Sequence, residues 1–82
     1  MTNQINKDIT LIEVNKSFLE LKEKVKSLKN IRQLNDYELF IYCIIDTYNY
    51  GRSFKDSVNN ALYHLENKQQ YLKLLLSEDK ED

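Results

Sequence analysis

Three side chains in this 82-residue sequence are of types that often take part in catalysis: Cys43, His64 and Asp46. A nucleophilic cysteine needs a base beside it, and a metal site needs several ligands at defined spacing. Cys43 and His64 are the only cysteine and histidine in the chain, and Asn67 and Lys68 occupy the positions one helical turn beyond His64. We therefore expect no metal site, and the single glycine leaves no phosphate-binding glycine loop.

Each of these side chains has a sequence context that favours a structural role. Cys43 lies within the apolar run from Leu39 to Ile45, where a thiol usually acts as a small buried hydrophobic group. Asp46 is on the polar side of the same segment and is expected to face solvent, and His64 is expected to be half exposed. The sequence thus predicts that the protein is not an enzyme and takes no cofactor or small-molecule substrate.

The composition is typical of a soluble helical chain. Apolar residues make up 41% and charged residues 30%, and the net charge of −1 gives no general attraction to nucleic acid or to anionic membranes. The absence of proline favours long helices joined by short turns. A single cysteine is typical of a reducing compartment, and no apolar run is long enough to cross a bilayer, so we expect a cytoplasmic location without a membrane span.

The most apolar segment of the chain is expected to form the central helix. Asn35 and Glu38 have capping-box spacing at its start, with Leu34 positioned to pack against the first turn. Helical spacing places the side that carries Phe40 and Ile44 in the core. A buried strand is the other interpretation, but the chain offers no second strand to pair with it. The apolar arc is wider than two neighbouring helices cover, which predicts contact with a second molecule.

The whole chain is expected to form one all-α domain. Helices are predicted near residues 10–30, 36–49 and 54–76, in a small antiparallel three-helix bundle that dimerisation could complete. The central helix is the shortest of the three and should lie between two longer ones. A flexible leader is expected at residues 1–8, and an acidic tail at residues 77–82 is expected to fray.

Local signals define the predicted helix ends. Thr10 and Glu13 have capping-box spacing at the start of the first helix. Gly51 is suited to the left-handed backbone conformation past the end of the central helix, and Ser53 can cap the third. The apolar spacing of the third helix is interrupted around Lys68, which predicts weak packing at its middle.

Tyrosine and arginine side chains give the main indication of function. The chain has six tyrosines and no tryptophan, and Tyr and Arg are enriched where binding energy concentrates in interfaces. Cofactor and metal sites are not expected. The residues expected to contact a protein partner are Leu39, Tyr42, Cys43, Tyr48, Tyr50 and Arg52.

The leading hypothesis is a non-enzymatic helical interaction protein that binds another protein and forms a homodimer. A small regulator or inhibitor of the kind carried by phages and plasmids fits the size and composition. Apolar side chains predicted off the main helix faces support a binding role, because an exposed apolar strip often marks an interface. These are Ile12, Leu19, Tyr63, Tyr71 and Leu74.

Two other functions remain open. A nucleic-acid-binding regulator could use the basic segment at residues 22–32, although its charges are spread around the helix, and a helix-turn-helix motif fits the central and third helices poorly. The cations of this segment are Lys22, Lys24, Lys26, Lys29 and Arg32. A structural subunit of a larger assembly is the third hypothesis.

Overall fold

The computed structural model describes residue 5 and residues 8–80, with the backbone alone for residues 28 and 78–80. The described part contains four α-helices and one 3-10 helix and no strand, so the all-α class is confirmed. The count of three helices is wrong. The α-helices are α1 (Leu11–Lys24), α2 (Asp36–Asn49), α3 (Phe54–Glu66) and α4 (Lys68–Lys80), and the 3-10 helix (Leu28–Gln33) connects α1 to α2.

The predicted leader and tail fall partly outside the described residues, at residues 1–4, 6, 7, 81 and 82. Within the described part, Ile5 packs against the core and Ile9 is buried. Helix α4 continues through Lys80, beyond residue 77 where fraying is predicted. No described helix has the length and apolar character needed to cross a membrane.

Two capping boxes begin α1 and α2, as predicted. The Glu13 amide donates to Thr10 Oγ1 at 3.2 Å, and the Thr10 amide donates back to the Glu13 carboxylate at 3.1 Å. At α2 the Glu38 amide donates to Asn35 Oδ1 at 2.8 Å, and the Asn35 amide donates to Glu38 Oε1 at 2.9 Å. These bonds satisfy amides that a helix start otherwise leaves without an intrahelical partner.

Helix α1 is shorter than the prediction of residues 10–30. Its C-cap, Val25, has φ −100° and ψ 86°, outside the helical region, and the chain bends before the 3-10 helix begins. This change of direction brings Ile31 and Leu34 into the core, where they are 1% and 4% exposed. Burial of these two apolar side chains favours the bend over further turns of α1.

A single residue divides the predicted third helix in two. Asn67 has φ −118° and ψ 46°, and its side-chain amide donates to the Tyr63 carbonyl at 3.2 Å. Its own carbonyl accepts from the Tyr71 amide at 3.0 Å and so starts α4. Asparagine readily exchanges helical bonds for such side-chain bonds. The uninterrupted helix over residues 54–76 is therefore wrong, and α4 takes its own direction.

Helix α2 is the centre of the core. Phe40, Ile41 and Ile44 are fully buried, which confirms the predicted inner side of this helix. It packs most extensively against α3 and also against α1, while α4 makes its main contacts with the 3-10 helix and α3. The prediction that two longer helices flank a shorter one is wrong, because α1 and α2 each have 14 residues and α3 and α4 each have 13.

The turn between α2 and α3 depends on the conformation of Gly51. Its φ is +95°, and a Cβ built there would meet no atom within 4 Å. Gly51→Ala should therefore lower the free energy of unfolding by about 1–2 kcal/mol through backbone strain alone. Gly51→Asn should cost less, because asparagine tolerates this region better. Urea unfolding followed by circular dichroism measures both, and an alanine variant as stable as wild type would contradict the expectation.

Candidate functional site

Two of the predicted partner contacts, Leu39 and Cys43, lie inside the molecule. Each is 1% exposed, so the prediction that they face a partner is wrong. The flank of α2 that carries Cys43 is covered by α4, since Tyr71 of α4 lies beside the thiol. Tyr71 is itself 6% exposed, although the helical pattern predicts it on the surface. The separate direction of α4, which the sequence pattern does not show, accounts for the burial of Cys43 and Tyr71 against each other.

The turn after α2 exposes the other predicted aromatic contacts. Tyr50 is 83% exposed and Tyr48 is 37% exposed, and Arg52 is also exposed. The Tyr48 ring packs edge-on against Phe54, with ring centroids 6.2 Å apart. Tyr50 and Arg52 are therefore available for contact, while Tyr48 is partly held by α3. Their role in binding stays a prediction.

Tyr42 is half buried and belongs to the lining of two clefts. One cleft, here the lysine cleft, has a volume of about 340 Å³ and is formed by the end of α1, the bend after it and Tyr42. Its apolar lining includes Phe18 and Val25, and Lys22 and Lys26 are its charged residues. The described lining is Phe18, Leu21, Lys22, Val25, Lys26, Ser27 and Tyr42.

The second cleft, here the aspartate cleft, also has Tyr42 in its lining and has a volume of about 350 Å³. It is formed by α2, α3 and α4, and exposed side chains of Tyr50 and Leu74 belong to its lining. Because α4 packs mainly on the 3-10 helix and α3, it leaves this part of α2 partly open. The described lining is Tyr42, Asp46, Tyr50, His64, Tyr71, Leu74 and Leu75.

The Tyr71 ring forms one wall of the aspartate cleft. It stacks on His64 across the Asn67 break, with ring centroids 4.3 Å apart and an interplanar angle of 20°. Its buried hydroxyl lies beside the Cys43 thiol, but no described group gives it a hydrogen bond of full geometry. Burial, the Cys43 thiol, the Asp46 carboxylate and Tyr42 all raise the pKa of Tyr71, so it stays protonated.

His64 contributes its ring, rather than a positive charge, to this wall at neutral pH. Burial lowers its pKa below the ordinary 6.5, and the charge of Asp46 opposes this only in part. The Tyr63 ring packs against its edge, with centroids 5.5 Å apart. The sequence prediction of a half-exposed structural histidine agrees with this position, but the stacking on Tyr71 was not foreseen because it requires the separate direction of α4.

The lowered pKa of His64 predicts a pH dependence of stability. The unfolded chain binds a proton at His64 more readily than the folded chain does. The neutral His64 ring therefore makes its full contribution to stability above about pH 6.5. The free energy of unfolding should fall as the pH drops through 6.5 and then through the folded pKa. Urea unfolding between pH 7.5 and pH 5 measures the slope, with pH values chosen around 6.5.

His64→Gln is the control for this pH dependence and should flatten the slope in that window. Protonation of Glu38 lowers the free energy of unfolding separately, and only in more acidic solution. Burial raises the pKa of this carboxyl, but the Lys24 and Asn35 hydrogen bonds and the Lys24 charge outweigh burial and hold it below 4.5. An unchanged slope in His64→Gln would assign the effect to another group.

The Cys43 thiol is not placed to act as a nucleophile. Burial, which the Asp46 charge reinforces and the Tyr71 contact opposes, raises its pKa to about 11. It is therefore almost entirely protonated at neutral pH. No group of three or more His, Cys, Asp or Glu side chains suited to a metal ion occurs among the described residues.

The cations of the basic segment have different environments. Lys24 forms an ion pair with Glu38 at 2.8 Å, which joins the end of α1 to the start of α2. Lys22 and Lys26 line the lysine cleft and take part in no ion pair within the described part of the chain. Lys29 and Arg32 lie exposed on the 3-10 helix. The contact of these residues with nucleic acid stays a prediction.

No protein-family model matches this chain, and neither does any curated protein or solved structure. The site therefore has to be interpreted from its own geometry. We name the two clefts together with the exposed side chains at their edges the Tyr42 surface. Its described residues include apolar side chains, aromatic rings and charges of both signs, and Tyr42 belongs to both clefts.

Proposed function

We propose that this chain is a non-enzymatic protein that acts by binding another protein through the Tyr42 surface. The observation that carries the proposal is the pair of clefts, of about 340 and 350 Å³, that both have Tyr42 in their lining. A small regulator or inhibitor would work in this way, since its output is occupation of a partner's surface. The partner is a protein with apolar side chains to insert into these clefts.

The edges of the aspartate cleft have the character of a binding site. Tyr50 and Leu74 are 83% and 60% exposed. The apolar atoms of both side chains are therefore in contact with water, which is unfavourable. Tyrosines often dominate interface energies because a large rigid ring is buried with little loss of conformational freedom. Binding would remove the apolar atoms of Tyr50 and Leu74 from water.

The state of the titratable groups supports binding rather than catalysis. The single thiol is 1% exposed, and its pKa is raised to about 11. The histidine ring stacks on Tyr71 and packs edge-on against Tyr63, and it belongs to the cleft wall. A neutral ring held in this way contributes shape and apolar surface to the cleft.

Capture with matched variants tests the proposal. Tyr50→Ala with Leu74→Ala removes two exposed side chains of the Tyr42 surface. Ile12→Ala with Leu19→Ala removes two similarly exposed apolar side chains from α1, at 79% and 65% exposure, outside both clefts. We expect tagged wild type and the α1 variant to retain the same protein from a lysate of the natural host. The Tyr50/Leu74 variant should lose it.

Two outcomes would count against the proposal. Retention that is equal in all three proteins, or that is lost only in the α1 variant, would place the binding site elsewhere. Retention that disappears on nuclease treatment would instead favour nucleic acid, whose phosphate contacts would also make the binding strongly salt dependent. Circular dichroism of each variant checks that the helices are intact.

A further inference from the structure

We propose that the lysine cleft binds an acidic segment of the protein partner, in which an apolar side chain has carboxylates beside it in sequence. The apolar side chain would enter the cleft, and the carboxylates would pair with Lys22 and Lys26. The inference rests on the proposed function, because it names the chemistry of the partner segment that one of the two clefts takes. Apolar walls, two lysines in the lining and the unpaired state of those lysines within the described part of the chain support it.

The walls of the lysine cleft are largely apolar. Leu21 is 4% exposed, and the side chains of Phe18, Val25 and Tyr42 pack against the core and are half buried. An apolar side chain that enters this cleft of about 340 Å³ removes its own surface and that of the walls from water. A small anion without an apolar group would gain nothing from these walls. The ligand is therefore expected to carry an apolar group.

The charged residues in the described lining are positive. Lys22 and Lys26 are both exposed, and the described lining contains no carboxylate. Lys22 lies in the last turn of α1, where the helix end carries the equivalent of about half a unit of negative charge. The charge of two lysines exceeds this, so the cleft attracts an anionic group rather than a cationic one.

Both lysines are available to a partner. Lys24, which lies between them in sequence, pairs with Glu38 at 2.8 Å, whereas Lys22 and Lys26 take part in no ion pair within the described part of the chain. A carboxylate that binds Lys22 or Lys26 therefore breaks no existing pair. Ser27 also lines the cleft, and its hydroxyl forms no capping bond to the 3-10 helix, so it can donate to the same carboxylate.

The lysine cleft suits a protein segment better than nucleic acid. Nucleic-acid binding draws most of its affinity from many phosphate contacts, and the described lining contributes two cations in a chain whose net charge is −1. An acidic protein segment presents carboxylates and an apolar side chain within a few residues of each other. Such a segment matches both the apolar walls and the two lysines.

Titration with an acidic peptide, followed by heteronuclear NMR of the full chain, tests the inference. The probe is acetyl-Glu-Glu-Phe-Leu-Glu-Glu-amide. In one comparison peptide glutamine replaces each glutamate, and in the other alanine replaces phenylalanine and leucine. We expect the probe to shift the amide signals of residues 18–27 and of Tyr42, and to bind at least about tenfold more tightly than either comparison peptide. Added salt should weaken its binding.

Matched variants place the peptide in the cleft. Lys22→Ala with Lys26→Ala should weaken binding of the probe by about tenfold. Lys16→Ala with Lys29→Ala removes the same charge from exposed positions outside the described linings of both clefts, and should change the affinity by no more than about twofold. Ser27→Phe keeps both lysines and removes no capping bond, and its ring should block the cleft and weaken binding. Circular dichroism checks that the helices are intact.

Several results would overturn the inference. Cleft amides that do not shift at millimolar peptide, equal losses in the two lysine variants, or a glutamine peptide that binds as tightly as the probe would each do so. A single-stranded oligonucleotide that binds the cleft more tightly than the probe would assign it to nucleic acid. The acidic tail of the chain is also tested, by exchanging its carboxylates for amides. Tighter probe binding by that variant would make the tail the occupant of the cleft. The residues exchanged are Glu78, Asp79, Glu81 and Asp82.

Failure of the proposed function gives a different result. A host protein that is captured through Tyr50 and Leu74, and is retained equally by the Lys22→Ala, Lys26→Ala chain, would overturn the inference and leave the proposed function in place. Probe binding that depends on the lysines as expected, with no host protein captured by wild type, would support the inference and overturn the proposed function.

Discussion

Phe40→Ala is expected to lower the free energy of unfolding by about 3–5 kcal/mol. Phe40 is fully buried at the centre of α2, the helix that packs against both α1 and α3. Truncation removes the ring from this interior and leaves a cavity that the packed helices close only in part. A domain of this length has a total stability of about 4–12 kcal/mol, so the variant should retain little of it.

Urea unfolding followed by circular dichroism measures the change at Phe40, with Leu19→Ala as the matched control. Leu19 is 65% exposed on α1, and its truncation should change the free energy of unfolding by no more than about 0.5 kcal/mol. Equal effects of the two substitutions would show that α2 is not the centre of the core. Reduced cooperativity of unfolding in Phe40→Ala, by contrast, is consistent with the prediction because α2 packs against both neighbouring helices.

The Cys43 thiol should react at least about a hundredfold more slowly with an alkylating reagent than an exposed thiol in the same chain. Burial raises its pKa from 9.0 to about 11, which lowers the thiolate fraction at pH 8 by about that factor. Its 1% exposure adds a steric barrier, so reaction should wait for transient opening of the structure. Mass spectrometry of samples quenched over time gives the rate.

Tyr50→Cys provides the comparison for Cys43. Position 50 is 83% exposed, so one equivalent of reagent should be consumed rapidly while Cys43 remains unmodified. In denaturant the two thiols should react at similar rates, because burial no longer separates them. Rapid modification of Cys43 in the native protein, without loss of helicity, would contradict the position of α4 over this side of α2.

Local sequence signals predicted the helix starts well. The capping boxes at Thr10 and Asn35 need only residues within one turn of each other, and their four hydrogen bonds are all formed. Phe40 and Ile44 were placed inward by periodicity alone, because an apolar face this pronounced has no other stable position. Gly51 was identified as the turn by its freedom at positive φ.

The interruptions in the first and third predicted helices could not be found in the same way. Val25 and Asn67 are both compatible with a helix. Burial of residues that follow, such as Ile31, favours the end of α1, and at Asn67 the side-chain bond to the Tyr63 carbonyl accompanies the break that leaves Tyr71 buried. Such burial depends on distant packing partners rather than on neighbours in sequence. The polar interruption around Lys68 did mark the right place, although it predicts weak packing rather than a break.

The candidate site was predicted in part. Tyr42 and Tyr50 were expected to contact a partner, and both line the aspartate cleft. Leu39 and Cys43 were expected beside them but are buried, and the Cys43 thiol lies beside Tyr71 of α4. His64 was expected to be structural, and its place in the cleft wall follows from the break at Asn67. Residues brought together by a change of helix direction carry no shared pattern in the sequence.

The break at Asn67 also bears on the order in which the chain folds. Helices α2 and α3 are joined by four residues and share the most extensive contact, so they can pair early at little cost in loop entropy. Helix α4 can dock only after the 3-10 helix is in place, since that is its main support. We expect amide hydrogens of α4 to exchange with solvent sooner than those of α2. The aspartate cleft is then the last part of the molecule to be completed and the first to be lost.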